Sequence, residues 1–259
     1  MRVIPILAVF GAVGIAPPLQ AQDFEWSGRL DRGQALEIKN INGDVSAERT
    51  GGSEIEVTAI RREGSRGDAD EVTFEVVEHS GGVTICAVYP DDPDERPNEC
   101  RPGSGGRMST HENNTEVEFR VRVPDGVNFV GKSVNGDVST DRLGGDVYAH
   151  TVNGGIEVAA AGFVEAQTVN GSIYASMGRA DWQGDLEFST VNGSINIELP
   201  DGVDAEVTAR TVNGDLETDF PLTIQGRWGP RKLTGTIGDG GRSLDLETVN
   251  GSIRLRRGG

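Results

Sequence analysis

The sequence predicts an all-β chain coiled into a solenoid. Three observations carry that prediction. The phrase TVNGSI stands at 168–173, 190–195 and 248–253, with near copies SVNGDV at 133, TVNGGI at 151, TVNGDL at 211 and NINGDV at 40. Apolar and polar residues alternate between the copies. No stretch sustains the i, i+3, i+4, i+7 apolar spacing of a helix.

The spacing selects a coil over a meander. The phrase asparagines Asn135, Asn153, Asn170, Asn192, Asn213 and Asn250 are separated by 18, 17, 22, 21 and 37 residues, and the last gap reads as two units. Half-phrases such as LGGDVYA at 143 and LPDGVDAEV at 199 fall between them, so a turn arrives about every nine residues and strands of five or six fit between turns. Hairpins do not require the same turn on every second strand. A coil of 18–22 residues does, because like positions stack.

Each letter of the phrase then has an expected role. Gly is expected at a positive φ, which a β-carbon resists by roughly 1–2 kcal/mol. Asn is expected to tolerate the same left-handed corner, and its amide, both donor and acceptor, to bond in a vertical ladder. Val before Asn and Ile or Val after Gly are expected inside, and Thr or Ser is expected to pair with its neighbour above. In GSIYAS and GSINIEL, Ile173, Ile195, Ile197 and Leu199 take the inward parity. The residue after Gly is Asp44, Asp137 or Asp215 in some copies and Gly155, Ser172, Ser194 or Ser252 in others. So free a swap argues against a calcium-loaded repeat.

The ends and composition set the compartment. Residues 1–21 have a short basic start, an apolar run from Val3 to about Ala16 and a small residue at Ala21, which reads as a secretory signal peptide. The remaining 22–259 read as one domain. Its first part, 22–122, is less regular, and 123–259 carries the regular phrases. VPDGV at 123 leading to VNGDV resembles LPDGV at 199 leading to VNGDL, so the coil is expected to begin before 123. No later segment is apolar enough to span a membrane. The chain carries 41 Asp plus Glu against 24 Lys plus Arg, a balance unsuited to nucleic acid or anionic lipid. Cys86 and Cys100 flank the acidic, proline-rich AVYPDDPDERPNE, and in an exported chain such a pair is expected to close a disulfide loop, 86–100.

The recurring TVNGxI or SVNGDV, the VPxGV lead-in and the ICAVYP…PNEC loop together resemble the bacterial β-strand-repeat family known as "putative adhesins", related to the head-GIN type. The resemblance runs from about 35 to 257. It implies a right-handed single-stranded β-helix exported to the periplasm, the outer cell surface or the medium. It brings no catalytic residue, cofactor or metal.

The search for chemistry is short. His79, His111 and His150 read as solvated side chains. Asp137, Asp146, Asp185 and Asp215 follow corners and would line one edge if the protein were a polysaccharide lyase or hydrolase, the enzymatic alternative, but Asp after Gly is also what a turn prefers. Trp182 and Trp228 sit in the longest departures from the repeat, ADWQG and GRWGP. Such aromatics either stack on a sugar, as in a lectin-like module, or cap the core of their coil. The expected function is therefore non-enzymatic: an adhesin or scaffold whose partner is a protein or glycan at the cell surface.

Overall fold

The computed structural model describes residues 24–225 and 231–258. Residues 1–21, read above as a signal peptide, and Trp228 lie outside them. Two sheets of ten and eleven strands face each other, and the chain passes from the second to the first at each TVNG-type corner. We call the ten-stranded sheet the front and the eleven-stranded sheet the back. A typical coil runs from back strand Val164–Gln167 through the TVNG corner to front strand Ile173–Met177, then round to back strand Asp185–Asn192.

The stacked strands are parallel, as coiling demands. On the front, Ile156, Ile173, Ile195, Ile253 and Leu216 lie in register on successive strands. On the back, Ala166, Phe188, Leu246 and Ala209 do the same. All are buried, in one apolar cluster running from Leu36 to Leu255. Each isoleucine so buried contributes about 1.5–3 kcal/mol, and the period-two parity read for Ile173, Ile195, Ile197 and Leu199 is the parity of this core.

Stacking order is not chain order. Front strand Val45–Thr50 lies between Glu116–Pro124 and Val138–Leu143. At the other end, Ser243–Asn250 lies between Asp185–Asn192 and Ala205–Asn213. The 37-residue gap is therefore not two successive coils: after front strand Leu216–Thr218 the chain leaves the parallel stack, and it returns to insert the Asn250 coil one level earlier. Strand Arg231–Ile237 runs antiparallel to Ala205–Asn213 and caps that end. The opposite end is closed by antiparallel pairings, Phe24–Gly28 on Ile55–Arg62 and Ile55–Arg62 on Glu116–Pro124 in front, and Thr73–His79 on Gly82–Val88 behind, while Gly82–Val88 itself lies parallel to Ala35–Lys39. There Phe24 stacks on Phe74 at 4.7 Å, and Phe74 meets Phe119 edge-on at 5.9 Å, plugging the open coil. Cys86 and Cys100 are joined, with Cα atoms 5.9 Å apart.

The corner obeys a different physics from the one the letters suggest. The asparagines do form a column: Asn135 donates to Asn42, Asn153 to Asn135, Asn170 to Asn153, Asn192 to Asn170, Asn250 to Asn192 and Asn213 to Asn250, every bond 2.8 Å. Asn42 is a seventh member. But no phrase asparagine has a positive φ, and of the seven phrase glycines only Gly43, at φ 108°, is left-handed. The others are required by space. A β-carbon on Gly136, Gly154, Gly171, Gly193, Gly251 or Gly214 would sit closer than 3.0 Å to the carbonyl oxygen of the phrase glycine on the adjoining rung.

That carbonyl also accepts the buried hydroxyl of the stacked Thr or Ser, in bonds of 2.7–3.0 Å from Ser133, Thr151, Thr168, Thr190, Thr211 and Thr248. So Thr points inward and bonds to glycine, not to another Thr. The neighbouring Val is turned outward by the same alternation: Val169, Val191 and Val212 are exposed, against the expectation that they fill the core. The residue after Gly forms a third column. Asp44 accepts the backbone N–H of Asp137, and Asp137 that of Gly155; Ser172 accepts that of Ser194, Ser194 that of Ser252 and Ser252 that of Asp215. Asp and Ser interchange there because either supplies one acceptor oxygen.

Candidate functional site

Alternation that buries one row of the front sheet presents the other to solvent. Ser46, Ser139, Glu157, Tyr174 and Asn196 occupy one register row across five strands. Glu48 and Asp141 pair in the next row, where Ala159, Ser176, Glu198 and Arg256 continue on the later strands. Short side chains at Ser46, Ser139, Ala159 and Ser176 leave a trough of about 1090 Å³. Four strand spacings of about 4.8 Å make its floor roughly 19 Å long, running along the solenoid axis.

Its walls are charged. At one end Arg122 bridges Glu48 at 3.3 Å and Glu56 at 3.0 Å. At the other, Glu198 and Arg256 line the rim. These exposed pairs contribute little stability, so they are free to exchange partners at little cost. Tyr174 stands in the trough 54% exposed. A β-bulge breaks the register between Thr140 and Leu143, with Arg142 at φ 46°. Thr140 Oγ1 fills in for the ladder, meeting both the N–H and the carbonyl of Ala159 at 3.1 Å. The bulge re-aims the chain at Asp141, on the trough wall. The arrangement suits a long, polar, hydroxyl-rich chain with one aromatic stacking position.

The residues singled out from sequence fall elsewhere. Trp182 is 1% exposed, its ring edge-on to Phe163 at 6.5 Å and its Nε1 donating to the Ser243 carbonyl at 3.1 Å. It plugs a coil and has no face to offer a sugar. The four aspartates do not share an edge. Asp137 and Asp215 lie at the TVNG corner. Asp146 lies at the opposite corner, accepting the Phe163 N–H at 2.9 Å, and Asp185 opens a back strand. Each at a corner is tied to the chain: Asp137 to the Gly155 N–H, Asp215 to Arg231. His111 sits 3.3 Å from Asp92, His79 lies 3.3 Å from the Thr84 hydroxyl, and His150 faces out from the back sheet. Tyr174 escaped the sequence reading although its signal was available: it is an aromatic at the polar parity of GSIYAS, where alternation leaves it in water.

A match across residues 29–256 decides the family. The chain belongs to the Toastrack DUF4097 family. Among solved structures, this Toastrack chain is similar to a "putative cell adhesion protein" from Clostridium sporogenes ATCC 15579, at 12% identity and TM-score 0.41, over 91% of this chain and 99% of that one. It is also similar to a "putative adhesin" from Bacteroides fragilis NCTC 9343, at 9% identity and TM-score 0.32, over 90% of this chain and 96% of that one. No curated protein matches it. Among the described residues no helix is long and apolar enough to cross a membrane.

Proposed function

We propose that this Toastrack protein is an exported, non-enzymatic component of the cell envelope or surface, and that it holds an extended glycan along the front-sheet trough. The observation that carries the reading is the trough itself: about 1090 Å³, floored by serine and alanine and furnished with one exposed tyrosine. The Cys86–Cys100 disulfide supports export, since such bonds persist in oxidising compartments. The coil is right-handed in this reading, in keeping with the hand that parallel crossovers almost always take.

A glycan array probed with the purified 22–259 chain tests the function. Reproducible binding that Tyr174→Ala weakens several-fold, with the melting curve unchanged, supports it. Release of reducing ends or unsaturated sugars from a bound polysaccharide would replace it with the carbohydrate-active alternative. A silent array would leave a structural scaffold.

A further inference from the structure

A side pocket of about 340 Å³ opens off the front-sheet trough beside Tyr174, toward the TVNG corner. Ser46, Ser139, Glu157 and Tyr174 line both. Asp44 and Asp137 close its corner side, and Glu118 stands on the strand at one end. The sheet grid places these groups. Glu157 and Tyr174 are register partners on adjoining strands. Asp44 and Asp137 lie opposite each other, one step before the partners Val45 and Val138.

The charges here have one sign. Among the described residues no Lys or Arg lines the side pocket. The cations of the adjoining trough already have carboxylate partners: Arg122 meets Glu48 and Glu56, Arg120 meets Glu118, and Arg256 lies 3.9 Å from Glu217. Arg62 also meets Glu118, at 2.5 Å. Glu118 is therefore matched, and Glu157 has no partner among the described residues. Asp44 and Asp137 each commit Oδ1 to a backbone N–H, of Asp137 and of Gly155, which leaves the second oxygen of each for another donor. Like charges directly opposite on a sheet repel, so a cation seated beside Asp44 and Asp137 relieves a cost built into the fold.

Spacing selects the kind of cation. Asp137 and Glu157 are one strand over and two residues along from each other, which puts their Cα atoms about 8 Å apart. Among the described residues no three acids converge closely enough to hold a metal ion. An ammonium with three N–H donors spans a wider gap, with a bond of about 2.8 Å to each carboxylate. Tyr174 stands exposed beside Glu157 and offers its ring to the apolar face of a sugar.

We infer that the glycan in the trough carries free amino groups, and that one amino sugar stacks on Tyr174 with its ammonium in the side pocket between Glu157 and Asp137. With the trough as the glycan site, on which this assignment rests, the ligand narrows to a chain with unacetylated amines. An acetylated amine has no charge and a single N–H, and it would set a methyl group among carboxylates that need donors. The pocket is open to water, so the attraction is screened by salt.

The test is isothermal titration of the 22–259 protein at about pH 5.5, above the carboxylate range, with glucosamine hexamer, N-acetylglucosamine hexamer and hexalysine. The glucosamine hexamer is expected to bind at least tenfold tighter than either of the others, and less tightly as salt rises. Glu157→Gln and Asp137→Asn should each weaken it several-fold with the melting curve unchanged. Both keep the side-chain shape, and the second keeps an oxygen for the Gly155 N–H. Equal binding of the two sugar hexamers, lost in Tyr174→Ala, keeps the trough as a glycan site and overturns the amine. Binding of neither hexamer also overturns the amine, and the glycan array alone then judges the trough. Hexalysine as tight as the glucosamine hexamer, or wild-type affinity in both charge variants, overturns it in favour of unspecific attraction to a protein of net charge −17.

Discussion

Gly171→Ala is the sharpest probe of the corner. An added β-carbon would meet the carbonyl oxygen and carbon of Gly154 and the nitrogen of Gly155, all backbone and all closer than 3.0 Å. No side chain can swing aside, so the rung must lift by on the order of 1 Å to restore ordinary contact. The lift stretches three bonds between these rungs: Gly154 N–H to Asn170 at 3.0 Å, Asn170 N–H to Val152 at 2.8 Å and the Thr168 hydroxyl to Gly154 at 3.0 Å. At about 0.5–1.5 kcal/mol each, with an overpacking cost of similar size, the loss is about 2–4 kcal/mol. Gly155→Ala is the control. Its nearest neighbour is 3.6 Å away and its φ is not in the left-handed region, so it should cost under about 0.5 kcal/mol. Urea unfolding by circular dichroism measures both, and hydrogen exchange at the corner amides reports local opening should the coils melt separately. Equal costs for the two variants would refute the stacked-carbonyl account.

Asn192→Ala removes two ladder bonds at an exposed position where water replaces them, so a loss of about 1–2 kcal/mol is expected in the same unfolding assay, less than for Gly171→Ala. Ellman's reagent should find no free thiol in the unfolded, unreduced protein, and reduction of the Cys86–Cys100 bond should cost about 3 kcal/mol and raise exchange at Arg101–Gly105, whose carbonyls hold Lys39 and Lys132. Burial works to raise the Glu37 pKa, but the bond from Lys132, the Gly103 N–H, the Lys132 charge and the Thr84 hydroxyl outweigh it and hold it low. The folded state therefore binds this proton more weakly than the unfolded chain, at about 4.3. Its contribution is complete above that value and disappears as pH falls through the folded pKa, so Glu37→Gln should flatten the acid limb of a stability profile, and an unchanged limb would contradict the bonding described.

The repeat was legible because its physics is local and periodic. Ile173, Ile195 and Ile197 announce a buried face by parity alone, and a recurring asparagine announces a column. What stayed hidden depends on which face the corner turns. One residue of corner geometry decides whether Thr or Val enters the core, and TVNG contains both a small polar and an apolar candidate. Glycine was legible as obligatory, but its reason was not, because a close approach to another rung leaves no local mark. Of the two readings open for Trp182, sugar platform and core cap, the structure has the cap, because an insertion in sequence need not be an excursion in space; it folds back over its own coil. The front-sheet trough was unreadable for a simpler reason: Ser46, Ser139 and Ser176 are far apart in the chain and come to line one trough only by stacking.

The insertion of the Ser243–Asn250 coil between two earlier levels has a consequence for assembly. As the chain emerges amino end first, the Asn213 segment appears before the piece on which it finally rests. It carries the same corner letters as that piece, so it can dock prematurely on the Asn192 level. The last residues must then wedge it outward, like a keystone driven home after the arch is up. Removing residues 243–259 should therefore leave the Asn213 rung docked directly on the Asn192 rung, with its amides in a different exchange pattern from that of the intact stack.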